Sequence, residues 1–584
     1  MIYIDAVQRG DDIVLWTRES KDEIQSHELP LSEFLYCYTI SNDPAVCDAR
    51  DIYGSPLRKV KFKDKWEMKE YRNSHDGLCE SDVQPAYKAL LDLFSDVDMD
   101  LSLVNTWYYD IEVDFDLSEG RGYPTPDNPY GAVNSFQFYD TYTKEYYIIH
   151  TSHDGSRPTP PIDADNKVNM ILVNTEMQLL LTVSEYMESL GVDLITGWNS
   201  GGFDLPYIME RAIQKFGESK ARTMFCRGGV QAKFREYVND FGQDAIHWTL
   251  VGRQHVDMLE LYKKFIPSQK KSFSLSNVCL EDLGVDKIDY DGDLGELYRT
   301  NQDLFFEYAL QDVRLLKMLD DKHKIMTLAK SIAFGSCIKI GDVTGSVKVI
   351  EHDLMKFCHK RGKVLPDRSN NEKTKYDGAI VYDCVSGMHE WIFSLDLVSL
   401  YPKTMILLGL SRETLIYQCL GGYEDWVHII TKNDTVGCIS VECDRTGEVF
   451  QMLPSELEET IRDNGWTISA NGTIFDGSLG ILAEYVSEGF AQRVEYKKKM
   501  KECFAAGDIV GGEMYDLYQK VIKVARLNAV YGASGNESFR LFDLRLAKSI
   551  TLTAQMISKQ QCKAGNEAVN AIEEELLGGK IGSR

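Results

Sequence analysis

The stretch Phe393-Ser394-Leu395-Asp396-Leu397-Val398-Ser399-Leu400-Tyr401-Pro402 constrains this chain more than any other. An apolar run, Trp391-Ile392-Phe393, delivers one carboxylate, Asp396, to its end. The chain then turns through Val398-Ser399-Leu400, and Tyr401-Pro402 opens a helix. Proline is tolerated at the first helical position because its missing N–H has no helical partner there. A carboxylate beside exposed backbone N–H groups suits a metal-bound triphosphate: the acid takes the cation and the amides take the phosphates. By itself the pattern also describes a buried strand ended by a capping Asp. The segments on either side decide between the two.

With 584 residues the chain exceeds a single core, and three or four domains are expected. A hydrophobic fraction of 43% is ample for packed globular structure. The net charge of -26 taken alone argues against a nucleic-acid binder, although an average hides a local basic groove. Thirteen cysteines form no CxxC pair, so neither a zinc site nor a disulfide scaffold is indicated, and a reducing cytosol is the simplest setting. No signal peptide and no membrane-length apolar run is seen. The first 104 residues read as mixed strands: Ile2-Tyr3-Ile4, Ile13-Val14-Leu15-Trp16 and Phe34-Leu35-Tyr36-Cys37-Tyr38, with a turn at Asp51–Pro56.

Acidic chemistry begins at Trp107-Tyr108-Tyr109-Asp110-Ile111-Glu112-Val113. Strand periodicity puts Asp110 and Glu112 on one face and Ile111 on the other. Two like charges that close repel unless a cation lies between them. A lone DxE also fits a solvated edge strand. A third acid, Asp204, follows an apolar strand (Asp193–Thr196) and the Gly-rich turn Gly197-Trp198-Asn199-Ser200-Gly201-Gly202-Phe203, with a helix starting near Leu205. A fourth lies in Tyr308-Ala309-Leu310-Gln311-Asp312, where i, i+4 spacing puts Tyr308 and Asp312 on one helix face. Four carboxylates and a phenol suit two-metal phosphodiester hydrolysis, in which cations clamp the attacking and leaving oxygens.

These three segments, in this order, resemble the exonuclease motifs of the proofreading 3′–5′ exonucleases with an RNase H-like fold. The resemblance assigns catalysis and metal binding to Asp110, Glu112, Asp204 and Asp312, with Tyr308 as a catalytic phenol. Between the second and third motifs, Gln231–Asp257 alternates polar and apolar residues around Asn239-Asp240-Phe241-Gly242, which predicts a β-hairpin. In related polymerases such a hairpin helps separate the primer strand, but a plain surface hairpin fits equally. Ile325–Arg361 reads as largely helical, and Tyr376-Asp377-Gly378-Ala379-Ile380-Val381 resembles the loop joining the exonuclease and polymerase halves of B-family enzymes.

Beside these motifs, Asp396–Pro402 resembles motif A of the B-family DNA polymerases. The resemblance gives Asp396 both catalytic metals, the Leu397 carbonyl one of them, and the backbone around Ser399-Leu400-Tyr401 the phosphates. The Tyr401 ring would lie under the sugar and exclude a ribose 2′-OH. Ser469–Phe475 contains Asn471-Gly472, a favoured two-residue turn, and predicts a hairpin. In the helix Phe490–Lys499, Arg493 and Lys497 share a face. A basic face is usually just solvated, but the family has an Arg and a Lys here to hold the incoming triphosphate. Lys520–Gly532 resembles motif B, K-x-x-x-N-S-x-Y-G, through Asn528, Tyr531 and Gly532. Val524 occupies the motif's lysine position, Lys523 comes one residue early, and Ala529 replaces the serine. Lys523 serves if the helix is locally adjusted; Arg526 is the other candidate. In detail the chain looks like the T-even bacteriophage replicative polymerases.

The expected fold class is α/β multidomain: an N-terminal domain (1–104, with 325–367 packing back on it), an exonuclease domain (105–324), a palm (368–479 and 537–584, including a helix Leu541–Leu577) and helical fingers (480–536). The family's Y-G-D-T-D-S hairpin, motif C, does not occur in the sequence. Nucleotidyl transfer with two metals needs a second carboxylate besides Asp396. The expectation is therefore the N-terminal subunit of a split polymerase, with a second polypeptide supplying motif C and the thumb. The resemblance implies Mg²⁺, with Mn²⁺ as a substitute, together with primer–template DNA and dNTPs. It also implies a sliding clamp, a single-stranded DNA-binding protein and a host-cytoplasmic location if phage-encoded. The rivals are a stand-alone exonuclease with a vestigial palm and a non-catalytic DNA-binding scaffold.

Overall fold

The protein was analysed as a computed structural model. It describes residues 1–577 except 44, 118–119, 239–241, 243, 267–268, 370, 372–377, 382, 384–385, 389–395 and 422–436, and the side chains of 244 and 572–577. Two units form. One comprises Met1–Tyr36, Lys61–Lys69 and Val83–Gly345; the other comprises Cys37–Val60, Glu70–Asp82 and the described residues from Ser346 onward.

The first unit opens with three antiparallel strands, Ile2–Arg9, Asp12–Arg18 and Ile24–Pro30. Its centre is a six-stranded mixed sheet. The order across it is Val168–Leu172, Glu145–His150, Val133–Asp140, Thr106–Val113, Leu194–Gly197, Gln254–Asp257. Val133–Asp140 runs antiparallel to its neighbours on both sides, Glu145–His150 and Thr106–Val113, and the last two strands run parallel to Thr106–Val113. This is the RNase H-like arrangement that the three acidic motifs imply. Thr106–Val113 and Val133–Asp140 are rich in aromatic and β-branched residues, which suit a pleated, covered surface. Trp107 stacks on Phe138 with ring centres 3.7 Å apart. The helix Gln302–His323 lies across both strands; the Asn301 side chain caps its start, and it stops at Lys324 in the left-handed region, φ 56°. The predicted hairpin is present as Lys233–Val238 paired with Asp244–Thr249; its turn residues 239–241 lie outside the described residues.

In the second unit an antiparallel sheet runs Val449–Met452, Ile439–Cys443, Leu415–Cys419, Thr473–Phe475, Thr467–Ile468. Cys419, Ile439, Val441, Leu457 and Ile474 form a core on it. The Asn471-Gly472 hairpin exists, but its turn is not centred there. The Gly472 N–H donates to the Ser469 carbonyl (2.9 Å), so Ala470 and Asn471 are the central residues, and Gly472 follows at φ 77° as the left-handed residue that closes the loop. The helix Ile481–Ala505 reverses at Gly507 into Ile509–Val521, with Asp508 capping the return. The return helix becomes a π-helix over Ile522–Asn528 and ends as Ala529–Ser534. The long last helix begins at Leu544 rather than Leu541, because the Asp543 carboxylate accepts the Arg545 N–H and sets the cap. Among the described residues no helix is long and apolar enough to cross a membrane.

Candidate active sites

In the first unit one oxygen each of Asp110, Glu112 and Asp312 lie within 4.8 Å of one another. Local structure explains the convergence. Adjacent same-face positions on Thr106–Val113 supply Asp110 and Glu112, and the helix lying across that strand supplies Asp312 and, one turn earlier, Tyr308. Asp204 begins the helix Asp204–Phe216, and its Oδ1 accepts the Ile111 N–H at 3.2 Å, which ties it to the strand between the two acids. The Gln137 side-chain amide donates to Asp110 at 2.8 Å from directly across the sheet, fixing that carboxylate. The Asp312 Oδ1 is buried without a hydrogen-bond partner.

The electrostatics are those of crowded acids. Burial and then Asp204, Glu112 and Asp312 hold Asp110 well above the ordinary carboxylate range. Burial and then Asp312 push Glu112 up to about 8, against relief from Lys287. Burial and the nearby Asp257 push Asp204 up to about 7. Burial also raises the Tyr308 phenol, so it stays protonated at neutral pH. An all-oxygen set of buried carboxylates, one oxygen lacking a partner, fits a hard divalent cation.

Sequence reasoning missed two contributors. Lys287 projects its ammonium to 2.6 Å from Asp312 and 3.3 Å from the Tyr308 hydroxyl. Burial lowers its affinity for a proton, but Asp312, Tyr308 and Asp110 outweigh that and hold it charged. Asp257 accepts the N–H groups of Asn199 (3.0 Å), Gly201 (3.0 Å) and Leu259 (2.9 Å), shaping the turn that leads to Asp204 while capping its own helix. An Asp directly before an apolar helical run was the visible signal for Asp257. Lys287 has none, since it lies in an ordinary polar connection.

In the second unit residues 389–395, directly before Asp396, lie outside the described residues; Asp396 itself is exposed, and Leu397, Ser399, Leu400 and Tyr401 are half-buried. The helix here is Leu400–Leu408, which places Pro402 third rather than first. The first-turn N–H groups all lack helical acceptors, so proline fits there as well. Ser399 caps it at φ 57°, a left-handed conformation uncommon for a non-glycine residue and often found at functional sites. Tyr401 and Tyr531 meet with ring centres 4.4 Å apart. Arg493 is half-buried, its Nε donating to Gln519 at 3.4 Å, whereas Lys497, Lys523 and Asn528 are exposed. Arg526 is engaged elsewhere: its Nε and Nη2 lie 3.2 and 3.4 Å from Asp353, and its guanidinium sits 4.4 Å over the Tyr485 ring.

A sequence pattern described as DNA polymerase family B, exonuclease domain, matches residues 136–278, and that of DNA polymerase family B matches residues 343–576. The chain carries the exonuclease and polymerase domains of DNA polymerase family B. The DNA-directed DNA polymerase of Escherichia phage RB69 is 23% identical over 98% of this chain and 67% of its own length. That of Enterobacteria phage T4 is 24% identical over 90% of this chain and 62% of its own. The DNA polymerase delta catalytic subunit of Glycine max is 25% identical over 66% of this chain and 33% of its own. The chain thus spans about two thirds of the length of these phage polymerases. Asp204 falls within the exonuclease match, and Asp396, Tyr401, Arg493, Lys497, Lys523, Asn528 and Tyr531 within the polymerase match. Asp110, Glu112, Tyr308 and Asp312 lie outside both matched ranges.

Proposed function

We propose that this chain edits and extends DNA primers: a 3′–5′ exonuclease centred on Asp110, Glu112, Asp204 and Asp312, and a nucleotide site centred on Asp396. The working domain limits are those expected from the sequence: exonuclease 105–324, palm 368–479 and 537–584, fingers 480–536. The observation that carries the reading is the convergence of Asp110, Glu112 and Asp312, with Asp204 tied to the same strand.

Mg²⁺, or Mn²⁺ in its place, would be held by these carboxylates and by Asp396 with the Leu397 carbonyl. When bound, such cations supply charge stabilisation for the attacking and leaving oxygens and make water a better nucleophile. The chain's own groups do the rest. Gln137 keeps Asp110 from turning away, and the Ile111 N–H keeps Asp204 in place. Tyr308, protonated and held beside Lys287, donates its hydroxyl to a water or a phosphate oxygen. In the second unit the Tyr401 ring, backed by Tyr531, forms a floor for the sugar, and Arg493, Lys497 and Lys523 face the triphosphate. The second carboxylate that transfer requires lies beyond these residues, on a partner polypeptide carrying Y-G-D-T-D-S or on a continuation of the chain.

The test is primer extension by the purified chain with Mg²⁺ and dNTPs, with and without a polypeptide supplying motif C and thumb, following primer shortening in the same gel. The expected result is shortening by the chain alone and extension once the second polypeptide is added. Shortening without extension in either condition would favour a stand-alone exonuclease. Neither activity in either condition would sink both assignments.

A further inference from the structure

Five residues separate Lys523 from Asn528, which on a regular α-helix turns their side chains about 140° apart. The backbone does not stay regular there. Ile522–Asn528 is π-helical, a form whose bonds run from i to i+5 rather than i to i+4 and which therefore takes one extra residue into the turn. Exposure follows the same count. Lys523, Asn528 and Gly532 are exposed, at spacings of five and then four, while Ala525, Leu527, Val530 and Ala533 are buried. The switch from five to four falls where the π-helix gives way to the α-helix Ala529–Ser534.

We infer that this π-turn sets the register of the nucleotide-facing side of the fingers, presenting Lys523 beside Asn528 to the phosphates of a bound nucleoside triphosphate, with Arg526 as the positioning residue that anchors the turn. The inference rests on the nucleotide-site reading above. Arg526 points inward and is engaged: it pairs with Asp353, lies over Tyr485, and Tyr485 donates its hydroxyl to the same carboxylate. Burial works against its charge, but Asp353 and Tyr485 outweigh that. Gly489 on the facing helix makes room for it, since a Cβ there would come within 2.5 Å of Arg526 Cδ. With Gly489 opposite Arg526 and Arg493 opposite Gln519, Lys523 falls between those two levels of the helical hairpin, alongside the turn that carries Arg493. An extra residue in the helix would otherwise rotate the lysine away; the π-turn absorbs it.

The test measures the concentration of complementary dNTP that half-stabilises the full chain on a dideoxy-terminated primer–template. It compares wild type, Lys523→Ala, Lys523→Arg, and Lys523→Ala combined with Val524→Lys. Losing one charge-assisted contact should weaken binding about 10- to 100-fold in Lys523→Ala. Lys523→Arg should stay near wild type, and the double variant should remain as weak as Lys523→Ala, because position 524 is off the presented face. Thermal unfolding of each variant controls for folding. Wild-type binding unchanged by Lys523→Ala would overturn the inference alone. Rescue by Val524→Lys would mean that the helix works in ordinary α register, which also overturns it. No dNTP-dependent stabilisation of wild type would overturn the nucleotide-site reading and the inference with it.

Discussion

The carboxylate site in the first unit and the basic face in the second are built on opposite principles. Asp110, Glu112, Asp204 and Asp312 are gathered in or near the interior, each pinned by a strand, a helix or a neighbour's hydrogen bond, and their mutual repulsion is stored in the fold. Arg493, Lys497, Lys523 and Asn528 stand on helix surfaces, two lysines and the asparagine in solvent, and the same unit carries a tyrosine pair and the exposed Asp396. The first site gathers carboxylates, with the Lys287 ammonium beside them among the described residues. The second is rich in cations and short of carboxylates. On the proposed reading each is finished by what it binds: the acid cluster by cations, the basic face by phosphates.

The sharpest way to break that contrast is to remove the acids. Asp110→Ala with Glu112→Ala should cut degradation of single-stranded DNA by at least about 10²-fold, the scale of losing a principal electrostatic group. The same variant should leave dNTP-dependent stabilisation of the primer–template complex unchanged. Persistent degradation would mean that the nuclease centre lies elsewhere.

Lys287 tests whether the cluster's charge balance is set within the protein. It lowers the proton affinity of Glu112, Asp110 and Asp312, so Lys287→Ala should raise all three. The acidic limb of the hydrolysis pH profile should then move to higher pH, and each unit of movement costs about tenfold in rate below it. A profile that drops uniformly without shifting would make Lys287 a structural support only.

The stored repulsion has a thermodynamic signature. Glu112 holds its proton to about pH 8 and Asp204 to about pH 7 in the fold, whereas an unfolded chain releases both near pH 4. Between those limits the native state binds more protons than the unfolded one, so metal-free stability falls as pH rises from about 4 to 8. Calorimetry without divalent cations should show a declining Tm over that range, and Mg²⁺ should recover more of it at pH 8 than at pH 5. Glu112→Gln should flatten the decline while abolishing hydrolysis. A metal-free Tm independent of pH would show that the acids do not repel.

Legibility followed the same division. The strand–helix alternation, the hairpin at 233–249 and all four acids were readable, because strand periodicity and i, i+4 spacing are local rules that the tertiary fold kept. Lys287 was invisible, since only the packing of its connection against the helix Gln302–His323 brings it to a carboxylate 25 residues later. The π-turn was half visible: a lysine one residue out of step signalled a problem, but which backbone change resolves it depends on Arg526, Asp353, Tyr485 and Gly489, four residues from three separate segments. The turn at Ala470–Asn471 was misplaced because Asn-Gly serves two hairpin loops, and the choice depends on the flanking strand register.

The smallest expected effect lies at the tyrosine pair. Tyr401 and Tyr531 stand 4.4 Å apart at an interplanar angle of 32°, a geometry worth about 0.5–1.5 kcal/mol beyond area burial. Tyr401→Leu keeps an apolar side chain at a half-buried position on the first turn of Leu400–Leu408, so the helix should fold. What is lost, on the proposed reading, is a flat ring under the sugar. The dNTP concentration for half-stabilisation should rise about 2- to 10-fold, and discrimination against a ribonucleotide should fall with it, because a flexible leucine leaves room for a 2′-OH. Exonuclease activity should be unchanged, which separates this face from the carboxylate site in the same preparation. Weakened dNTP binding with discrimination intact would mean that the ring only buttresses Tyr531, and that the gate against ribose is another residue on the same face.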